Sequence, residues 1–146
     1  MLDTSVEAAF AFHENPANLR EISPASLRII SIECERHAVT GGHFTVEVVQ
    51  FGIRILWRGK WETVRRPFLL VDGAESSPFT FWRHHHIFDR EGDRCRMTDR
   101  VEFVPPFGRP GRIAAPLVSR LVLGPMFKAR HEATRRFFRR PSAIAG

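Results

Sequence analysis

The chain has no tyrosine, two cysteines, two lysines and no long apolar run. Each shortage excludes something. No stretch approaches the roughly 18 apolar residues of a membrane-spanning helix. The opening MLDTSVEAAF has neither a basic n-region nor an apolar h-region. Both observations point to the cytoplasm rather than to secretion or membrane insertion. Cys34 and Cys95 stand far apart, with no CxxC or Cys/His spacing around them. Reduced, buried thiols are expected in place of a disulfide framework or a zinc site. There is no GxSxG, no phosphate-binding glycine loop and no dinucleotide fingerprint, so nucleotide-dependent chemistry finds no support and no cofactor is implied.

What is present fits one soluble domain. At 146 residues there is no room for a second. A domain of this size buries about two-thirds of the surface its unfolded chain exposes, enough for one core or cavity. Thirteen phenylalanines and three tryptophans can line such a space without bringing tyrosine hydroxyls that need partners. The net charge of +6 rests on twenty arginines. A basic surface suits nucleic acid or an anionic membrane, and Arg135, Arg136, Arg139 and Arg140 cluster near the end. The remaining cations are scattered, and no interleaving of aromatic and basic residues of the ribonucleoprotein type occurs. An excess of Arg over Lys equally reflects the codon bias of a GC-rich, bacterial genome. No specific nucleic acid is expected as a partner.

Periodicity predicts two short helices, then strands, then one long helix. Thr4 and Glu7 have capping-box spacing before Val6, Ala9, Phe10 and His13 at helical intervals. Asn15-Pro16 restarts a short helix that stops at Ser23-Pro24. Strands are expected over 27–36, 44–54, 55–65, 68–71, 79–90 and 94–104, with a bend near Gly52. In the third, Ile55, Trp57, Gly59, Trp61 and Thr63 share the dry face. Residues 112–140 are helical by composition. Their predicted inward stripe is Ile113, Leu117, Leu121, Phe127, His131 and Phe138, with an interruption at Gly124-Pro125. Residues 141–146 are expected to be a disordered tail. The fold class is α+β, with a curved antiparallel sheet and the long helix across it.

Three stretches make this order familiar: PFTFWRHHHIF at 78–88, MTDRVEF at 97–103 and PPFG at 105–108. With FKARH at 127–131 and FAFHENP at 10–16, they resemble a branch of the START-like SRPBCC superfamily. The resemblance covers nearly the whole chain. It implies a helix-grip fold, in which a seven-stranded antiparallel sheet wraps around the C-terminal helix and encloses an apolar cavity. It also implies a hydrophobic ligand such as a lipid, sterol or polyketide, and in some members a cyclase or dehydratase activity. The resemblance implies a first strand before the first helix, and here the helix is expected almost at Met1: either Met1 is not the true start, or that strand is short or missing, which would leave a sheet edge open to homodimer formation or aggregation.

The sharpest local signal is Asp99, which shares the dry face of its strand with Met97, Val101 and Phe103. An ionised carboxylate there needs a partner. A two-residue turn at Gly92-Asp93 sets His86 opposite Asp99, whereas a turn at Glu91-Gly92 sets His84 there. Either register gives an Asp–His contact, whereas a three-residue loop or a bulge would flip the parity and bring in Arg83 and His85. The Asp–His contact reads as a structural polar pair, as a device orienting a ligand carbonyl or hydroxyl, or as the acid and base of a cyclase. His84-His85-His86 puts only two imidazoles on one face, with Asp99 or His131 as a conceivable third ligand. No metal motif is matched, and no metal is expected. The candidate cavity lining is Trp57, Trp61, Trp82, His84, His86, Met97, Asp99, Val101, Phe127 and His131. Arg130 reads as a solvated or ion-paired cation, and His13 as a residue that faces either the cavity mouth or nothing at all.

Overall fold

The computed structural model describes residues 1–139; the tail expected at 141–146 lies outside them. Helix α1 (Val6–His13) is capped by Ser5, whose hydroxyl accepts the Ala8 N–H at 3.2 Å. The expected Thr4–Glu7 box is therefore one residue out, and Glu7 instead pairs with Arg90. Asn15 caps the short turn Pro16–Asn18, its Oδ1 accepting the Ala17 N–H at 3.0 Å. Helix α2 (Leu19–Ile22) ends before Ser23-Pro24, as the proline requires.

Six antiparallel strands follow in sequential order: β1 (Leu27–Cys34), β2 (His43–Gln50), β3 (Ile53–Arg65), β4 (Leu69–Ser76), β5 (Phe81–Glu91) and β6 (Arg94–Val104). The bend expected near Gly52 is a full hairpin turn. Phe51 and Gly52 both have positive φ, 52° and 77°, the form whose twist matches the flanking strands. At Gly92-Asp93 only Gly92 is positive, at 60°, and this two-residue turn sets His86 opposite Asp99. A bulge between Trp61 and Thr63 reverses the face of β3. Val64, and not the expected Thr63, thereby joins the core. Gly59 leaves room for the Phe44 ring, since a Cβ there would meet Phe44 Cζ at 2.2 Å.

In place of a seventh strand, Leu2 pairs with Cys95 on β6, donating its N–H at 2.8 Å and accepting at 3.3 Å. Leu2, Val6, Ala9 and Phe10 bury against Leu70, Phe88 and Cys95, closing that end of the sheet with a packed core. The Phe10 and Phe88 rings meet edge to face at 5.7 Å.

The helical segment runs from Gly108 to Arg139 as α3 (Gly108–Val118), a wide π turn (Ser119–Leu123) and α4 (Gly124–Arg139). The interruption expected at Gly124-Pro125 takes the form of that turn, where the Gly124 N–H reaches back to the Ser119 carbonyl. The predicted inward stripe does not survive it. Ile113, Leu117 and Leu121 are 82%, 59% and 62% exposed, while Phe127, His131 and Phe138 are half-buried. The wide turn takes up about one extra residue, so a face followed at ordinary helical spacing changes phase across it. The only buried residue of α3 is Gly111. The result is a helix-grip α+β fold, its curved sheet grasping α4. No described helix is long and apolar enough to cross a membrane.

Candidate functional site

Between the inner face of the sheet and α4 lies a cavity of about 440 Å³. Aromatic side chains form one wall. Trp57 meets Trp82 edge to face at 5.1 Å, and Phe79 packs on Trp82 at 5.1 Å. Trp61, Leu27, Val46, Val48 and Met97 continue the apolar lining from the sheet. Leu19 of α2 adds to it. From α4 come Phe127, Arg130, His131 and Thr134, which recur at helical spacing and so share one face.

Nine of the ten residues expected to line a cavity do so: Trp57, Trp61, Trp82, His84, His86, Met97, Asp99, Phe127 and His131. Val101 is not among the lining residues. It sits opposite His84 and between Asp99 and Phe103 on its own face. Three further titratable residues line the cavity from outside that set. Asp72 lies on β4, which continues past Val71 because the sheet holds Asp72-Gly73 between β3 and β5 despite their poor strand preference. His13 lies inside the cavity wall. Arg130 lines it too, contrary to the solvated or ion-paired role expected from sequence.

The polar residues gather at one place. His84 Nε2–H donates to Asp99 Oδ1 at 2.8 Å, although His86 is the residue directly opposite Asp99 in the ladder. The diagonal imidazole thus makes the closer bond. His86 Nε2–H donates to Asp72 Oδ2 at 3.1 Å. Its Nδ1 lies 3.2 Å from Asp99 Oδ1, off the line of a hydrogen bond. His84 Nδ1 lies 3.6 Å from Asp72 Oδ2, and His131 donates to Asp99 Oδ2. Two carboxylates and two imidazoles therefore form a closed ring, with His131 of α4 attached to it. His85 points outwards, 3.2 Å from Glu102.

The ring sorts protonation states. Burial would lower the affinity of His86 for its proton, but the hydrogen bond to Asp72 and the close Asp99 carboxylate outweigh it and carry the pKa up to about 9. Burial lowers that of His84, and the neighbouring His86 charge pushes the same way. Burial also opposes ionisation of Asp99, yet His131, His84 and His86 together hold it well below the usual carboxylate range. His13 is driven down to about 4 by burial, then by His86. Its Nδ1–H donates to the Ala9 carbonyl at 2.7 Å, leaving a buried Nε2 with no partner among the described residues.

Such a ring can hold, orient or pass a proton. Asp72, His84 and His86 also offer one donor atom each, all within 4.8 Å of one another, a spacing a divalent cation could bridge. Those same atoms also face each other at hydrogen-bond and ion-pair distances.

No family model and no curated protein sequence matches the chain. Solved structures do. The di-domain ARO/CYC StfQ from the steffimycin biosynthetic pathway superposes with a TM-score of 0.72 at 14% identity, over 94% of this chain and 48% of that one. The chain thus spans about half of StfQ. TTHA0849 from Thermus thermophilus matches with a TM-score of 0.69 at 14% identity, over 92% of this chain and 90% of that one. A protein from Rhodobacter sphaeroides gives 0.71 at 12%, over 94% and 87%. At these identities the likeness is one of fold: the chain shares its helix-grip α+β fold with these proteins, an ARO/CYC protein among them.

Proposed function

We propose that this protein binds a hydrophobic small molecule in the cavity between the sheet and α4. The observation that carries the reading is the cavity itself. It has about 440 Å³, walls of Trp, Phe, Leu and Val, and one polar cluster to orient a ligand oxygen. Small-molecule sites have this size and this division of labour. The three tryptophans line the cavity, so intrinsic fluorescence reports occupancy directly. Titration with a panel of apolar ligands should quench it and raise the melting temperature, since a ligand held by the folded state stabilises it by mass action. A panel that moves neither signal at saturation sinks the reading.

A second reading, a cyclase or dehydratase, is favoured by the Asp99–His84 contact inside the cavity. A polarised imidazole next to a fixed carboxylate could take a proton from an activated carbon. Here Asp99→Asn should abolish turnover of a polyketide-type substrate while ligand affinity survives; turnover unchanged by that substitution removes the reading. The basic-module alternative has less behind it. Arg135 and Arg136 are exposed, but Arg139 is paired with Asp3 at 3.3 Å and Arg140 lies outside the described residues.

A further inference from the structure

Arg130 is the unexplained group in the cavity. It projects from the lining face of α4, with its guanidinium 5.7 Å above the centroid of Phe127 one turn earlier. Its Nε is buried without a hydrogen-bond partner among the described residues. Both carboxylates of the polar cluster are engaged elsewhere: Asp99 by His84 and His131, Asp72 by His86. They are close enough to be felt by Arg130, opposing the loss of proton affinity that burial causes, yet neither makes an ion pair with it. A guanidinium held this way is half-buried, with its Nε shut off from water, and it has no anion in contact among the described residues.

A half-buried cation whose Nε is closed off from water without a partner costs stability, and charged groups at such depth are as a rule paired. Histidine cannot be that partner here. A neutral imidazole supplies no countercharge, and a protonated one adds to the positive potential. The completing group has to be an anion from outside the chain, and the planar fork of arginine matches a carboxylate with two parallel hydrogen bonds. The remaining lining is apolar, which fits the rest of such a molecule. We infer that the cavity's ligand is an apolar carboxylic acid, bound as its anion by Arg130 with its hydrocarbon or aromatic body against the tryptophan wall. This rests on the cavity being a binding site for an apolar molecule, and it names the ligand's polar end.

The test compares each acid with its own methyl ester, which has nearly the same shape and no charge. Dodecanoic acid and 2-naphthoic acid serve as straight-chain and aromatic probes, titrated at pH 7.5 against tryptophan fluorescence. In the wild type at least one acid should bind about 10-fold or more tighter than its ester, as a charge-assisted pair requires. Whichever acid shows the preference identifies the kind of body the cavity accepts. Arg130→Gln should erase the preference and leave ester affinity within about twofold. Arg130→Lys should restore part of it, because the charge returns without the fork. Removing an unpaired buried cation should not lower the melting temperature of Arg130→Gln. Esters binding as tightly as acids in the wild type, or a preference that persists in Arg130→Gln, would overturn the inference while leaving the cavity reading intact. Failure of every acid and ester to bind overturns both.

Discussion

Raising the pH from 6 to 10 should weaken the fold through one side chain. His86 holds its proton up to about pH 9, against about 6.5 for an unfolded histidine. Because the folded pKa is the higher one, the stabilisation is fully present below pH 6.5. It decays as the pH rises through 9, since the folded state must then give up a proton that the unfolded state has already lost. A shift of this size corresponds to roughly 3 kcal/mol, and the side chain is only 15% exposed, so solvent screening does not erase it. The measurement is urea unfolding at half-unit pH steps for the wild type and for His86→Gln. The wild type should lose about 3 kcal/mol more than the variant between pH 6.5 and 9.5. An imidazole titration followed by NMR should place the last cavity histidine to deprotonate near pH 9. Parallel stability curves for the two proteins, or a His86 midpoint at or below 6.5, would refute the idea that Asp72 and Asp99 hold that proton.

Other perturbations probe separate features. Asp99→Asn removes the carboxylate that His84 and His131 both donate to, and should cost about 3–5 kcal/mol in denaturant unfolding at pH 6; a loss below about 1 kcal/mol would mean the imidazoles find other partners. Gly59→Ala pushes a methyl group into the Phe44 ring, with an expected loss of about 1–3 kcal/mol that Phe44→Leu in the same chain should partly relieve. Leu117→Ser, on the exposed face of α3, should change stability by no more than about 0.5 kcal/mol. A larger loss there would show that this face is covered in solution.

The order of elements was legible because it rests on local rules. Asn15-Pro16, Ser23-Pro24 and Gly92-Asp93 each act on one or two dihedral angles, and strand alternation placed Asp99, His84 and His86 on one face. The misses have a different origin. Asp72-Gly73 belongs to a strand only because β3 and β5 flank it, which a local window does not contain. The bulge after Trp61 and the π turn before α4 each insert a residue into a period, so a face followed on one side of them does not carry across to the other. Arg130 was misplaced by a sound general tendency, since arginine is seldom buried without a partner. Its spacing of three residues from Phe127 and four from Thr134 was the available signal, and it would have put all three on one face.

The π turn has a bearing on time as well as on shape. Upstream of it, α3 is anchored by Gly111 alone among its residues; downstream, α4 carries the cavity face. Gly124 and Pro125 sit at the junction, one lacking a side chain and the other a backbone N–H. Such a rod is built to come apart in the middle, not to swing as a whole. Amides of α3 should exchange with deuterium far faster than those of α4, because few buried contacts oppose their opening. Val122 and Leu123 of the turn itself line the cavity, so fraying that reaches them opens a passage while Arg130, His131 and the ring behind them keep their places. For the ligand proposed above, entry would then run at the pace of local melting, and its grip once inside would be set by a part of the chain that has not moved.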